Sequence, residues 1–202
     1  MPITAVQQGI LTELLFIILT VLGSDGALEV ARQATDDDRR DADVHRRSDF
    51  ILNLAFQIKS AIALHRQGAA ERLHIGFSVL ESRLVSHPNF FYFFAYLDTV
   101  AMRLGDPVFI VPSGEVHKHA IPHLDGDTWR FDFWASLDPK ARDRWAPYRV
   151  STLEVGRWIL AIIADLEKQQ SMLAPASAFD QPGMTWVRRA SGIIAPGQRA
   201  AA

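Results

Sequence analysis

The segment from Asp41 to Ala61, DADVHRRSDFILNLAFQIKSA, carries three aspartates in its first nine positions, then an apolar run interrupted by Gln57 and Lys59. A carboxylate, an amide and an amine can do chemistry together if they share a surface. Side chains alternate along a strand, so Gln57 and Lys59 point one way while Phe56 and Ile58 point the other. On a preceding strand over 42–47, Asp43 shares its face with His45 and Arg47. If the two strands form a hairpin, Asp43 faces Gln57 and Lys59 across it. That arrangement suits phosphodiester hydrolysis: a carboxylate and a second oxygen ligand hold Mg²⁺, and a nearby lysine orients or deprotonates the attacking water.

Asp43 is preferred to Asp49, which falls in the turn around SDFILN, where a carboxylate points to solvent. Asp41 falls on the wrong side of the loop, or at its edge. A plainer reading of Gln57 and Lys59 stays open: an exposed edge strand, where lysine blocks sheet-to-sheet association. Two other clusters carry paired readings. EVHKHAIPH offers His117, His119 and His123 beside Glu115, either as a metal site with 117 and 119 on one strand face or as surface histidines in a loop after Pro112. DPKARDRWAPYRV sets Lys140, Arg142, Arg144 and Arg149 among Trp145 and Tyr148, which suits phosphate contact and base stacking. It also suits a solvated turn whose aromatics pack beneath the last helix. Arg39, Arg40, Arg46 and Arg47 flank the Asp43 site and make the better phosphate-facing group, unless Asp36, Asp37 and Asp38 balance them.

The elements that must position these residues follow from patterning. Thr4 and Gln7 make a capping-box start to a helix over about 5–22, apolar nearly all round and so expected to be buried on most sides, with Gly23 as its stop. Within it, the apolar stretch ILTELLFIILTVLG (10–23) lacks a basic flank and a cleavage site, is shorter than the roughly 20 residues of a membrane span, and contains Glu13. Residues 27–34 read as a first strand or a short helix, strands are expected over 42–47 and 54–61, and a short strand with a helical turn before Pro88. NFFYFFAYLD puts Phe90, Tyr92, Phe94 and Tyr96 on one face and Phe91, Phe93, Ala95 and Leu97 on the other, the pattern of a central strand covered on both sides. A short buried strand over 107–113 and an outer strand in TWRFDFWASL follow. A last helix starts at Ser151 with STLE as its capping box, and packs Leu153, Trp158, Ile159, Ile162, Ile163 and Leu166 onto the sheet. The sum is an α/β (α+β) three-layer sandwich with a mixed central sheet. Residues 1–170 form one domain, and 171–202, rich in Ala, Pro, Gly and Ser, a tail or docking arm.

Composition narrows the function classes. The 202 residues are 49% hydrophobic and 22% charged, with a formal charge of −2 and a pI near 6.4, so no global positive field marks a nucleic-acid partner and any such contact is local. The absence of cysteine excludes disulfides, thiolate nucleophiles and cysteine-ligated zinc, and suits a cytoplasmic protein. No serine nucleophile elbow, P-loop or dinucleotide glycine fingerprint occurs.

With its helical Glu, its Asp on a second strand and FQIKS on a third, the sequence resembles the PD-(D/E)xK nuclease superfamily, and within it small bacterial restriction-endonuclease-like domains with a Gln-x-Lys motif. NFFYFFAYLD and PVFIVPS are similar to those domains too, and the resemblance spans about 5–170. It implies Asp43 and Gln57 as metal ligands, Lys59 as the catalytic lysine and Glu13 as the carboxylate completing the site, with Mg²⁺ or Mn²⁺ as cofactor. It also implies DNA as partner and a bacterial defence or restriction context; the central aromatic strand and long apolar helix fit a homodimer, as in many restriction enzymes of this fold, and fit a monomeric core as well. Gln57 stands where the superfamily usually has an acidic residue, which lowers the charge holding the metal. The alternative is a catalytically inactive module of the same fold that binds nucleic acid or a protein.

Overall fold

A computed structural model of the chain describes residues 3–32, 40–49, 52–67, 70–173, 184–188 and 194–198. The first helix, α1 (Ala5–Gly23), starts at the expected capping box: the Gln7 amide donates to Thr4 Oγ1 at 3.2 Å and the Thr4 amide to Gln7 Oε1 at 2.9 Å. Then come β1 (Leu28–Arg32), β2 (Ala42–Arg46) and β3 (Asn53–Ala61), an antiparallel meander. A hairpin of β4 (Leu64–Gln67) and β5 (Ala70–Leu80) leads to β6 (Phe90–Asp98), the short β7 (Arg103–Leu104) and β8 (Val108–Pro112). After these the chain forms α2 (Ser113–His119), β9 (His123–Asp125), β10 (Thr128–Ser136), β11 (Arg149–Val150) and α3 (Val155–Leu173). A separate two-stranded hairpin, β12 (Met184–Arg188) with β13 (Ile194–Gln198), lies in the segment expected to be a tail.

The central sheet runs β1-β2-β3-β6-β8-β11, with β7 paired to β6. Only the β3–β6 pair in it is parallel, so the sheet is mixed. A second, antiparallel sheet runs β4-β5-β10-β9. The fold is therefore α+β in three layers: α1 and α3, the central sheet, and the second sheet with α2.

β6 shows why the layers sit as they do. Its odd positions Phe91, Phe93, Ala95 and Leu97 join Phe16, Phe56, Ile159 and Ile163 in the core beneath the helices. Its even positions Tyr92 and Phe94 join Phe109, Phe131 and Phe133 in the core beneath the second sheet. Phe16 sits 5.0 Å from Phe56 and 4.9 Å from Phe93 by ring centroid, and Phe94 stacks on Phe133 at 4.0 Å. A strand apolar on both faces has to be covered on both.

Two glycines let the helix layer close. A methyl on Gly156 would collide with the Ser24 amide and the Gly23 and Thr20 backbone, and one on Gly23 would lie 2.9 Å from the Gly156 nitrogen. The end of α1 and the start of α3 thus touch backbone to backbone, which only glycine permits.

Several expectations are corrected. α1 is not buried on most sides: the side fully sequestered is Thr12, Phe16 and Thr20, while Val6, Ile10, Leu14, Ile18 and Leu22 are exposed, Val6 and Leu22 by about 70%. Polar anchoring explains the orientation, since Gln8 Nε2 donates to the Ser60 carbonyl at 2.7 Å and Thr12 Oγ1 meets Ser60 Oγ at 2.7 Å. By length and composition α1 could cross a membrane, yet these bonds tie it to the sheet. The STLE capping box does not form; Thr152–Glu154 make a 3₁₀ turn, Ser151 caps nothing with its side chain, and Leu153 is 77% exposed. Trp145 packs on Phe133 at 4.8 Å in the second-sheet core, not beneath the last helix. β4 and the first half of β5 were not legible: AERLHIGFSV buries only Leu73, Ile75 and Val79 while polar residues fill the other face.

Candidate active site

Strand register settles which side chains share a surface. β2 pairs with β3 so that Asp43 lies opposite Ala55, and alternation puts Asp43, Ala55, Gln57 and Lys59 on one face of the central sheet. β3 pairs with β6 so that Gln57 lies beside Tyr92 and Lys59 beside Phe94. This is the face toward the second sheet, because Tyr92 and Phe94 belong to that core. Gln57 is 6% exposed and Asp43 8%, so an amide and a carboxylate are buried two residues apart in register, with the partly exposed Lys59 next along the row. β3 is thus an interior strand of the sheet, flanked by β2 and β6, not the exposed edge of the plainer reading.

Asp41 is the residue that sequence reasoning undervalued. Its amide donates to the Phe56 carbonyl at 2.8 Å and its Oδ2 accepts from the Ile58 amide. The Asp41 carboxylate therefore lies in the plane of the sheet beside β3, at the peptide joining Gln57 to Ile58. Asp41 precedes β2 (Ala42–Arg46), so strand parity gives no signal for its side chain, which turns to the backbone of β3 instead. Asp49 is in the turn as expected, its amide donating to the Arg46 carbonyl at 2.9 Å.

Glu13 is placed differently from the other three. Its carboxylate pairs with Arg32 at 2.7 Å. Arg32 lies opposite Ala42, whose side chain points into the helix-layer core, so Glu13 and Arg32 meet on the α1 side of the sheet. Asp43, Gln57 and Lys59 occupy the other side.

Charge around the site is largely matched. Arg40 Nη1 is 3.6 Å from Asp43 Oδ1 and Arg47 pairs with Glu29 at 3.9 Å, while Arg46 pairs with Glu167 of α3 at 3.3 Å, on the helix side of the sheet and away from the site. Arg39 and Asp36, Asp37 and Asp38 lie outside the described residues.

As a donor set, Asp41, Asp43 and the Gln57 amide offer hard oxygen ligands on or beside one strand pair, the kind Mg²⁺ and Mn²⁺ take. Among the described residues no three His, Asp or Glu side chains gather as a ready cluster. A cation here would lean on the amide oxygen, and Arg40 already neutralises part of the Asp43 charge. The fit is that of a weak site.

The other sequence candidates are held by structural roles. His117 and His119 are on helix α2, not on a strand, and they diverge. His117 Nε2 meets the Tyr92 hydroxyl at 2.9 Å and its Nδ1 the Ser86 hydroxyl at 2.7 Å. Burial lowers its pKa to about 4, so the ring is neutral at neutral pH. His119 pairs with Glu115 and Arg144, and His123 is exposed on β9. Arg149 is clamped by Asp143 at 2.8 Å and by the Ser136 and Ala141 carbonyls at 3.1 and 2.6 Å. Trp145 and Tyr148 of this run pack into or against the second-sheet core, while Lys140, Arg142 and Arg144 are exposed.

No family model and no curated protein matches the chain. Its structure is similar to that of a bacterial homing endonuclease, I-Ssp6803I, with a TM-score of 0.48 and 12% identity, over 85% of this chain and 99% of that one.

Proposed function

We propose that this chain is a metal-dependent nuclease of the PD-(D/E)xK type, hydrolysing phosphodiester bonds of DNA with Mg²⁺ or Mn²⁺ in a bacterial defence or restriction context. The observation that carries the reading is the register of β2 and β3, which turns Asp43, Gln57 and Lys59 onto one face. Buried polar groups are costly unless they are satisfied, and a carboxylate and an amide kept together below 10% exposure call for a reason.

In this reading Asp43 and the Gln57 side-chain carbonyl would hold the cation, with the Asp41 carboxylate beside β3 as a further oxygen donor. The bound cation supplies positive charge against the phosphoryl oxygens. Lys59, one step further along the face, contacts the scissile phosphate and orients the attacking water. Glu13 acts from across the sheet, holding Arg32 at the end of β1 beside Ala42. A homodimer, proposed from the same resemblance, would bury the exposed aliphatic row of α1. That helix carries no basic residue to favour an anionic membrane surface instead.

The test is cleavage of plasmid, single-stranded DNA and RNA with Mg²⁺ or Mn²⁺ by wild type and by Lys59→Ala. Loss of cleavage in a folded variant is the expected result. Absence of cleavage by both, at high protein and with either metal, overturns catalysis and leaves the second reading. That reading, an inactive module binding nucleic acid or protein, has its own observations: the neutral Gln57 and the Arg40 guanidinium beside Asp43.

A further inference from the structure

The inner face of the second sheet is core, through Leu73, Ile75, Phe131 and Phe133. Alternation therefore turns Arg72, His74, Asp132 and Trp134 outward, and β4 adds His65 opposite Arg72. These outward residues are organised. The His74 ring lies flat on Trp134, 3.9 Å between centroids and 13° between planes. His65 meets the two rings edge-on at 5.3 and 5.1 Å. Asp132 accepts from His74 Nε2 at 2.7 Å and fixes the imidazole against the indole. The Arg72 guanidinium lies 5.8 Å from the Trp134 ring centre.

Beside this stack is a recess lined by His65, Arg66, Arg72, Ile121 and Trp134. Ile121 is 60% exposed and has φ of 47°, a conformation that costs a β-branched residue energy. An aliphatic side chain is thus held outward, in strained backbone, at the rim of an aromatic and cationic recess. Its chemistry is particular: an indole and an isoleucine for a flat apolar group, the Arg72 guanidinium and that of the exposed Arg66, which an anion would share with Glu71 at 3.6 Å, and imidazole to donate or accept.

We propose that this recess binds a nucleotide unit, the base against Trp134 and Ile121 and the phosphate on Arg66 and Arg72. An unpaired base in a nucleic-acid strand and a free nucleotide share that chemistry. An acidic peptide would use the guanidinium groups and leave the indole and Ile121 unused. The site shares no residue with Asp43, Gln57 and Lys59, so it stands whether or not the chain is a nuclease.

Binding is measured in EDTA by fluorescence anisotropy, with labelled single-stranded DNA, single-stranded RNA and duplex DNA, and with AMP as competitor. Trp134→Ala is expected to weaken single-strand binding about tenfold or more, the usual effect of removing one stacking platform. Arg66→Glu, a change at an 82%-exposed side chain that leaves the fold intact, is expected to weaken it similarly. Arg157→Ala, an exposed change on α3 in the helix layer away from the recess, is expected to bind as wild type. Competition by AMP identifies a free nucleotide as a sufficient ligand, and its absence identifies the strand. Unchanged affinity in both recess variants, binding of duplex alone, or no binding of any probe overturns the proposal.

Discussion

Gln57→Glu is the substitution that restores the acidic residue usual before the lysine, and its effect can be worked from the register. Asp43 lies opposite Ala55, so residue 57 is its diagonal cross-strand neighbour. Diagonal backbones are roughly 7–8 Å apart, with side-chain tips closer. At about 6 Å and an effective dielectric near 20, two carboxylates repel by about 3 kcal/mol. Lys59 on the same face and Arg40 at 3.6 Å from Asp43 offset part of that, leaving about 2 kcal/mol. For a chain of this size, that lowers the melting temperature of the metal-free variant by about 4–8 °C. In the proposed site Mn²⁺ would bind the folded state through the same two groups, so it should return this loss, and it should raise the variant's melting temperature more than wild type's. Thermal melts in EDTA and in a Mn²⁺ series read both quantities. A variant that melts with wild type in EDTA and gains no more from Mn²⁺ would show that residues 43 and 57 share no cation, and the argument from register would fail.

Asp43→Asn should weaken Mn²⁺ binding tenfold or more by calorimetry, while Asp49→Asn, a turn residue, stays within about twofold; equal losses would move the ligand into the turn. Asp41→Asn separates ligand from scaffold, since a loss of stability without loss of metal affinity would confine Asp41 to holding the Ile58 amide. His117 has a folded pKa of about 4 against 6.5 unfolded, so the unfolded chain takes the proton first as pH falls. Stability from this group is full above about pH 6.5 and is lost toward pH 4. The ring is only half buried, so the loss should be about 1–2 kcal/mol after solvent screening. Urea melts of His117→Gln should show a flatter acid limb, and an unchanged limb would refute the assignment. Arg149→Ala breaks the buried pair with Asp143 and should cost about 3–5 kcal/mol in the same melts, against under 1 for Arg130→Ala at the exposed pair with Asp125.

What the sequence made legible, and what it did not, divides along one physical line. Period-two alternation carries information only where the two faces of a strand differ, or where both are buried in a run long enough to be unmistakable. β3 and β6 satisfy this, so their faces, and with them the shared face of Asp43, Gln57 and Lys59, could be read from spacing. β5 does not, because half of its alternate positions are the polar outer face of the second sheet, where Arg72 and His74 replace the apolar residues that betray a strand. α1 fails for the opposite reason. Its residues are apolar nearly all round, so composition could not say which side meets the sheet. That choice was made by Gln8 and Thr12, which bond to Ser60, and by the small Thr12 and Thr20 flanking Phe16. Glu13 follows from that choice: one position after Thr12, it is carried to Arg32 on the helix side of the sheet. A helical carboxylate can be assigned to a site from its order in the chain, but which face of the sheet its helix covers is a tertiary choice: α1 packs on the face opposite Asp43, Gln57 and Lys59, and its roll decides only that Glu13 meets Arg32.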